Sequence, residues 1–150
     1  MKIRIFAPGI LHAEIKLPAS KSISNRALVI QALSGGTGPI DNVSDCDDSR
    51  VVQDALRHMP PLIDIKAAGT AMRFMTSFLA TVSGEHVITG TERMRNRPIA
   101  VLVDALRSLG ADICYEEKDG YPPLRIRGRE LAGGRISLPG NVSSQYISSL

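Results

Sequence analysis

Metal and redox chemistry find little to use in this chain. Its two cysteines, Cys46 and Cys114, lie far apart, and no Cys-x-x-Cys or Cys/His spacing accompanies them. The three histidines, His12, His58 and His86, are isolated and read as ordinary surface or strand residues. No apolar run approaches the ~20 residues that cross a bilayer. The start, Met-Lys-Ile-Arg-Ile-Phe-Ala-Pro-Gly, lacks the apolar core and cleavage site of a secretory signal. Tryptophan is absent, Phe and Tyr are sparse, and the net charge is only +3 with no contiguous basic stripe. That distribution argues against a nucleic-acid partner. There is no Gly-x-Gly-x-x-Gly and no Gly-Lys-Ser/Thr loop, which argues against dinucleotide-binding and Walker-type nucleotide folds. The expectation is a cytoplasmic, reduced protein with no metal, no cofactor, no nucleic acid and no membrane.

What is present is an alternation of short apolar runs with amphipathic stretches. At 150 residues, 43% hydrophobic and 22% charged, the chain is long enough for one real core. Strands are expected at Ile3–Phe6, Ala13–Leu17, Pro39–Val43, Leu62–Ile65, His86–Thr89, Ile113–Glu116, Leu124–Arg127 and Arg135–Leu138. A first helix is expected from about Ser22 to Ser34, capped by Ser20 or Ser22, with Ile23, Ala27 and Ile30 on its buried face. A second follows Asp45 and Asp47, taken as caps, buries Val51, Val52, Ala55, Leu56 and Met59, and ends at Pro60-Pro61. Gly69-Thr70 opens a third, with Thr70 as cap and Met72, Met75, Leu79 and Val82 at helical spacing. A fourth starts at Pro98, carries Ile99, Leu102, Leu106 and Leu109, and closes at Gly110. A fifth begins near Val142. Strands alternating with helices define an α/β fold. Leu17-Pro18-Ala19 with Ser22 recurs as Leu138-Pro139-Gly140 with Ser143, as if strand-to-helix units were duplicated. No capping residue closes the last helix before Leu150, so the chain is expected to be a piece of a longer protein.

Four helix starts carry more polar groups than capping requires. The first holds Lys21, Ser22 and Arg26; Ser22 and Arg26 are four apart and share a face. Free N–H groups and the positive end of the helix dipole add to these cations, so the ligand expected there is an anion, phosphate above all. The second start combines Gly69, Thr70 and Arg73. The third is Arg93-Met-Arg95-Asn-Arg97-Pro98, where an extended backbone would point three guanidinium forks to one side. The fourth is Ser143-Ser144-Gln145. A lone basic residue or hydroxyl at a helix start is commonly surface decoration or a cap. The acidic run Asp45-Cys46-Asp47-Asp48 is better explained as a helix start than as a Mg²⁺ site. It is the accumulation of anion seats, without a nucleophile or redox group, that sets the direction.

Five segments carry a resemblance. Ser-Lys-Ser-Ile-Ser-Asn-Arg-Ala (20–27), Ala-Gly-Thr-Ala-Met-Arg-Phe (68–74), Thr-Gly-Thr-Glu-Arg-Met-Arg-Asn-Arg-Pro-Ile (89–99), Tyr-Pro-Pro-Leu (121–124) and Val-Ser-Ser-Gln-Tyr (142–146) resemble, in order, the N-terminal part of the 3-phosphoshikimate 1-carboxyvinyltransferase (EPSP synthase) family. The related UDP-N-acetylglucosamine enolpyruvyl transferases share the fold but not the Ser-Lys-Ser-x-Ser-Asn-Arg signature. The remaining alternative is a phosphate-binding module without catalysis.

The resemblance implies repeated βαβαββ units forming an inside-out α/β barrel, here truncated. Residues 1–17 would belong to the other domain of the full enzyme, and 18–150 to an incomplete N-terminal domain. It implies transfer of the enolpyruvyl group of phosphoenolpyruvate to the 5-hydroxyl of shikimate 3-phosphate, in chorismate and aromatic amino acid biosynthesis. Lys21, Ser22 and Arg26 would hold shikimate 3-phosphate, with Lys21 reaching phosphoenolpyruvate as well. Gly69 and Arg97 would line the phosphoenolpyruvate site, supported by Thr70 and Arg73. Ser143 and Ser144 would take the shikimate phosphate and Gln145 would sit between the substrates. Lys21 and Arg97 are the catalytic candidates. Two departures stand out: Lys66-Ala67-Ala68-Gly69-Thr70 replaces the usual Gly-Asn-Ala-Gly-Thr, and Pro60-Pro61 replaces a Leu-Gly helix exit, taken as a change of turn only. The C-terminal part, which in the family supplies the proposed base and further cations, would be a missing partner. The fragment alone is expected to be inactive.

Overall fold

The computed structural model describes residues 3–6, 9–10 and 12–150. In chain order its elements are α1 (Lys21–Leu33), α2 (Asp47–His58), β1 (Leu62–Asp64), α3 (Gly69–Thr81), β2 (Gly84–Thr89), α4 (Glu92–Arg95), α5 (Ala100–Ser108), β3 (Asp112–Tyr115), β4 (Leu124–Gly128) and α6 (Ser144–Ser149). The strands form one sheet in the order β1-β2-β4-β3, with β1 parallel to β2 and the other pairs antiparallel. Leaving aside the single turn of α4, residues 62–128 are therefore one complete βαβαββ unit. α1 and α2 precede it without a sheet of their own.

Alternation divides the sheet. Ile88, Ile113, Leu124 and Ile126 are buried on the helix side. Their neighbours Glu85, Arg125 and Arg127 form ion pairs on the solvent side, Arg125 bridging Glu85 and Glu116. α3 occupies the centre. Every residue from Gly69 to Ala80 is buried, which fits a helix whose apolar residues run all round it. α1, α2, α5, α6 and the sheet pack around it.

The carboxyl of Glu85 is held below its ordinary pKa by Arg127 and then Arg125, and that of Glu116 by Arg125. A pKa depressed in the folded state contributes stability at neutral pH that is lost as pH falls through the folded value. The melting temperature should therefore decline on acidification below the ordinary carboxylate value of 4.5. In a Glu85→Gln/Glu116→Gln variant that decline should be shallower. Superimposable acid profiles would exclude these pairs as its source.

Several strand expectations do not hold. Residues 3–6 and 13–17 form no strand, and their apolar side chains stand out, Phe6 at 81% and Leu17 at 80% exposure. Met1, Lys2, Ala7, Pro8 and Leu11, which belong to the expected 1–17 segment, lie outside the described residues. Residues 39–43 form a turn with Asn42 at φ 54°, and 135–138 are unpaired. A strand needs a ladder partner, and these segments form no ladder with any described strand.

The face of α1 also differs from expectation. Ile23 and Ile30 are 70% and 64% exposed, while Ser24, Asn25, Leu28 and Val29 are buried. A polar network chooses this face. Ser49 Oγ donates to Asn25 Oδ1 at 2.8 Å and Ser44 N donates to Ser24 Oγ at 2.8 Å, fastening α1 to α2 and to the loop that precedes it. Nor do Asp45 and Asp47 cap α2. Its N-cap is Cys46, with no side-chain cap bond, and Asp47 and Asp48 sit in the first turn where the dipole favours carboxylates.

Candidate functional site

The start of α1 follows directly from its sequence. Ser20 is the N-cap and its Oγ accepts from Ile23 N at 3.4 Å. That leaves Lys21, Ser22 and Arg26 in the first turns. Lys21 is half exposed, and its Nζ lies 3.0 Å from Asp48 Oδ2 on α2. Arg26 donates to Ser22 O at 2.9 Å and to Ser148 Oγ of α6 at 3.3 Å, and its guanidinium lies 4.9 Å from the Phe74 ring centre of α3. Arg26 thus ties three helices together.

The α3 start is organised around Gly69. A Cβ there would overlap Arg97 Nη1 and lie 3.1 Å from Arg97 Cζ and 3.3 Å from Arg73 Nη1. Only glycine lets Arg97 rest against the backbone. Arg73 Nη1 donates to Gly69 O at 2.8 Å. Thr70 is not the cap: Ala68 is, without a side-chain bond, and Thr70 Oγ1 accepts from Gln145 Nε2 at 3.3 Å. Gly69→Ala should displace the Arg97 guanidinium and weaken any anion held there about tenfold, roughly 1.4 kcal/mol. Equal affinity of the variant for inorganic phosphate would remove Arg97 from the anion seat.

The three arginines do not line one side of an extended segment. Glu92–Arg95 is a helical turn, so Arg93 and Arg97, four apart, border one cavity of about 180 Å³ with Ala67, Thr91 and Met94. Arg95 turns away to Glu117, Nη1 to Oε1 at 3.0 Å. A second cavity, about 370 Å³, is bordered by Asp47, Asp48, Lys66, Ala67 and Ala68 among others. Ala67 borders both, at the position where the resemblance calls for Asn. The loop 66–69 therefore lies between the Lys21–Asp48 pair and Arg97.

α6 closes the arrangement. Ser143 is its N-cap, accepting from Gln145 N at 3.3 Å, and Ser144 begins the helix. Tyr146 is buried, donates its hydroxyl to Pro98 O at 2.9 Å and lies under the Arg73 guanidinium at 5.0 Å. Direct contacts thus join Arg73, Gly69 and Arg97, and join Gln145 to Thr70. Lys21 and Ser22 reach this group only through neighbours, Asp48 and Arg26. Arg93, expected as one of three aligned guanidinium forks, borders the cavity, while Asp48 and Tyr146 are participants to which the sequence assigns no site role. Asp48 lies in a run read as a helix start, and nothing local marks Tyr146.

The fold is α/β, and among the described residues helix starts and guanidinium groups without an ion-pair partner gather around one loop, an arrangement suited to an anion. The family is narrower. The EPSP synthase (3-phosphoshikimate 1-carboxyvinyltransferase) family matches residues 6–63 and 60–150, and the chain belongs to it. A 3-phosphoshikimate 1-carboxyvinyltransferase of Bacteroides fragilis (strain YCH46) is 59% identical over all of this chain and 37% of its own length. The protein of that name from Photobacterium damsela subsp. piscicida is 40% identical over 94% of this chain and 39% of its own. An EPSP synthase structure from Acinetobacter baumannii superposes with TM-score 0.81 at 24% identity, over 91% of this chain and 37% of that one, so the fold is shared. The chain spans little more than a third of the length of these relatives.

Proposed function

We propose that this chain forms one wall of the site of a cytoplasmic enzyme that transfers the enolpyruvyl group of phosphoenolpyruvate to the 5-hydroxyl of shikimate 3-phosphate. The observation that carries the reading is the meeting of Arg97 and Arg73 on Gly69, beside Thr70 and Gln145, in a member of this family. In this reading Lys21, Ser22, Arg26, Ser143 and Ser144 hold shikimate 3-phosphate. Gly69 and Arg97 receive phosphoenolpyruvate, with Thr70 and Arg73 behind them, and Gln145 stands between the substrates. Lys21 serves both substrates, from a position that Asp48 holds by its carboxylate. Two polyanions must be brought together against mutual repulsion, and clustered cations meet that need. The segment 1–17 is assigned to the opposite domain, and 18–150 to the near one.

The test is a titration of the folded chain with shikimate 3-phosphate and, separately, with shikimate, following backbone amides by NMR. Shikimate 3-phosphate should perturb the starts of α1 and α6 and shikimate should not. Lys21→Ala should weaken binding by about 1.5–3 kcal/mol, the range for a charge-assisted contact. Equal responses to both ligands would rule out a phosphate seat there.

A further inference from the structure

Arg73 stands one turn into α3 and is only 9% exposed. A buried guanidinium ordinarily faces a carboxylate. Among the described residues neither Arg73 nor Arg97 has an ion-pair partner. Arg73 is held instead by the Gly69 carbonyl at 2.8 Å and the Tyr146 ring at 5.0 Å, and its Nε has no partner. Both guanidinium groups crowd the one Cβ-less residue that opens the helix, where the dipole is also positive. Like charges in that position push each other apart. Arg73 is held by Gly69 and Tyr146, while Arg97 is exposed and borders the cavity, so the repulsion bears on Arg97.

We propose that Arg73 is a positioning residue for Arg97: a fixed cation behind Gly69 that keeps the Arg97 guanidinium turned outward, toward the cavity bordered by Ala67, Thr91 and Arg93, where it awaits an anion. The inference rests on the functional reading above and adds the device that presets Arg97. Tyr146 serves as the floor on which Arg73 lies, which links the α6 start to the same seat.

The test uses the full-length protein that carries this chain, with Arg73→Gln, Arg97→Ala and the double variant. Arg73→Gln keeps a donor for the Gly69 carbonyl but removes the charge. It should raise KM for phosphoenolpyruvate about tenfold and leave KM for shikimate 3-phosphate within about twofold. In the Arg97→Ala background the same change should do less than about twofold, since nothing remains to be positioned. Equal effects in both backgrounds, or a lowered melting temperature with both KM values intact, would overturn the proposal. If Arg73→Gln does not fold, Arg73→Lys takes its place. It keeps the cation, so KM for phosphoenolpyruvate should stay within about twofold of wild type; a tenfold rise would overturn the proposal. Wild-type protein with no saturable dependence on phosphoenolpyruvate would sink the functional reading itself, and this inference with it.

Discussion

Gly128→Ala is expected to be the most damaging single-methyl change in the chain. Gly128 ends β4, where that strand runs onto the C-terminal turn of α3. An added Cβ would overlap the Val82 carbonyl oxygen and lie 2.5 Å from the Leu79 carbonyl oxygen and 2.6 Å from the Val82 carbonyl carbon. These are backbone atoms, so no side chain can swing away. The strand or the helix must move. α3 is buried along its length and β4 pairs on both sides, so neither moves without loosening the core. Overpacking of this kind costs about 3–4 kcal/mol, at or above the upper end of the usual range. For a domain of this size that corresponds to a fall of roughly 6–15 °C in melting temperature. Thermal unfolding followed by circular dichroism is the measurement. A change under about 2 °C would mean that the strand end is not seated on the helix. Gly133→Ala offers a control for a methyl with open space around it, although its φ of 68° carries some backbone strain.

The periodic stretches were legible because their apolar spacing matches their packing. α3 and α5 lie where Met72, Met75, Leu79 and Ile99, Leu102, Leu106 place them, and all six side chains are buried. α1 was misjudged in its face because pattern reading assigns isoleucines to the inside. Here Ser24 is bonded by the backbone of Ser44 in the loop before α2 and Asn25 by Ser49 on α2, and these polar contacts turn Ile23 away from that side. The arginines of 93–97 were misjudged because four residues are too few for a period to declare itself. Of the candidate site, the residue types were legible and the contacts were not. No spacing rule connects Arg97 to Gly69, or Tyr146 to Pro98, across such sequence separations.

Turnover by this chain alone should be undetectable beside that of the full-length protein. Enolpyruvyl transfer needs a proton delivered to the methylene carbon, a proton removed from the attacking hydroxyl, and charge neutralised around a departing phosphate. In the proposed function Lys21 and Arg97 serve the third task. For the first two, the carboxylates beside this loop, Asp47 and Asp48, stand in the first turn of α2, and Asp48 is engaged by the Lys21 ammonium at 3.0 Å. Arg97 and Ser144 are exposed and Lys21 is half exposed, so water would screen the charges that must act on the transition state. Closing such a cleft takes a second wall. Phosphate release from shikimate 3-phosphate plus phosphoenolpyruvate, measured on both proteins after purification from a host lacking its own enzyme, should differ by at least about 1,000-fold, equivalent to roughly 4 kcal/mol of barrier. Binding of shikimate 3-phosphate should survive in the shorter chain while turnover does not, because binding draws on helix starts this chain already holds. Appreciable turnover by the 150 residues would instead place the proton-transfer groups among them, and Asp48, released from Lys21 when substrate arrives, would be the first carboxylate to replace by Asn.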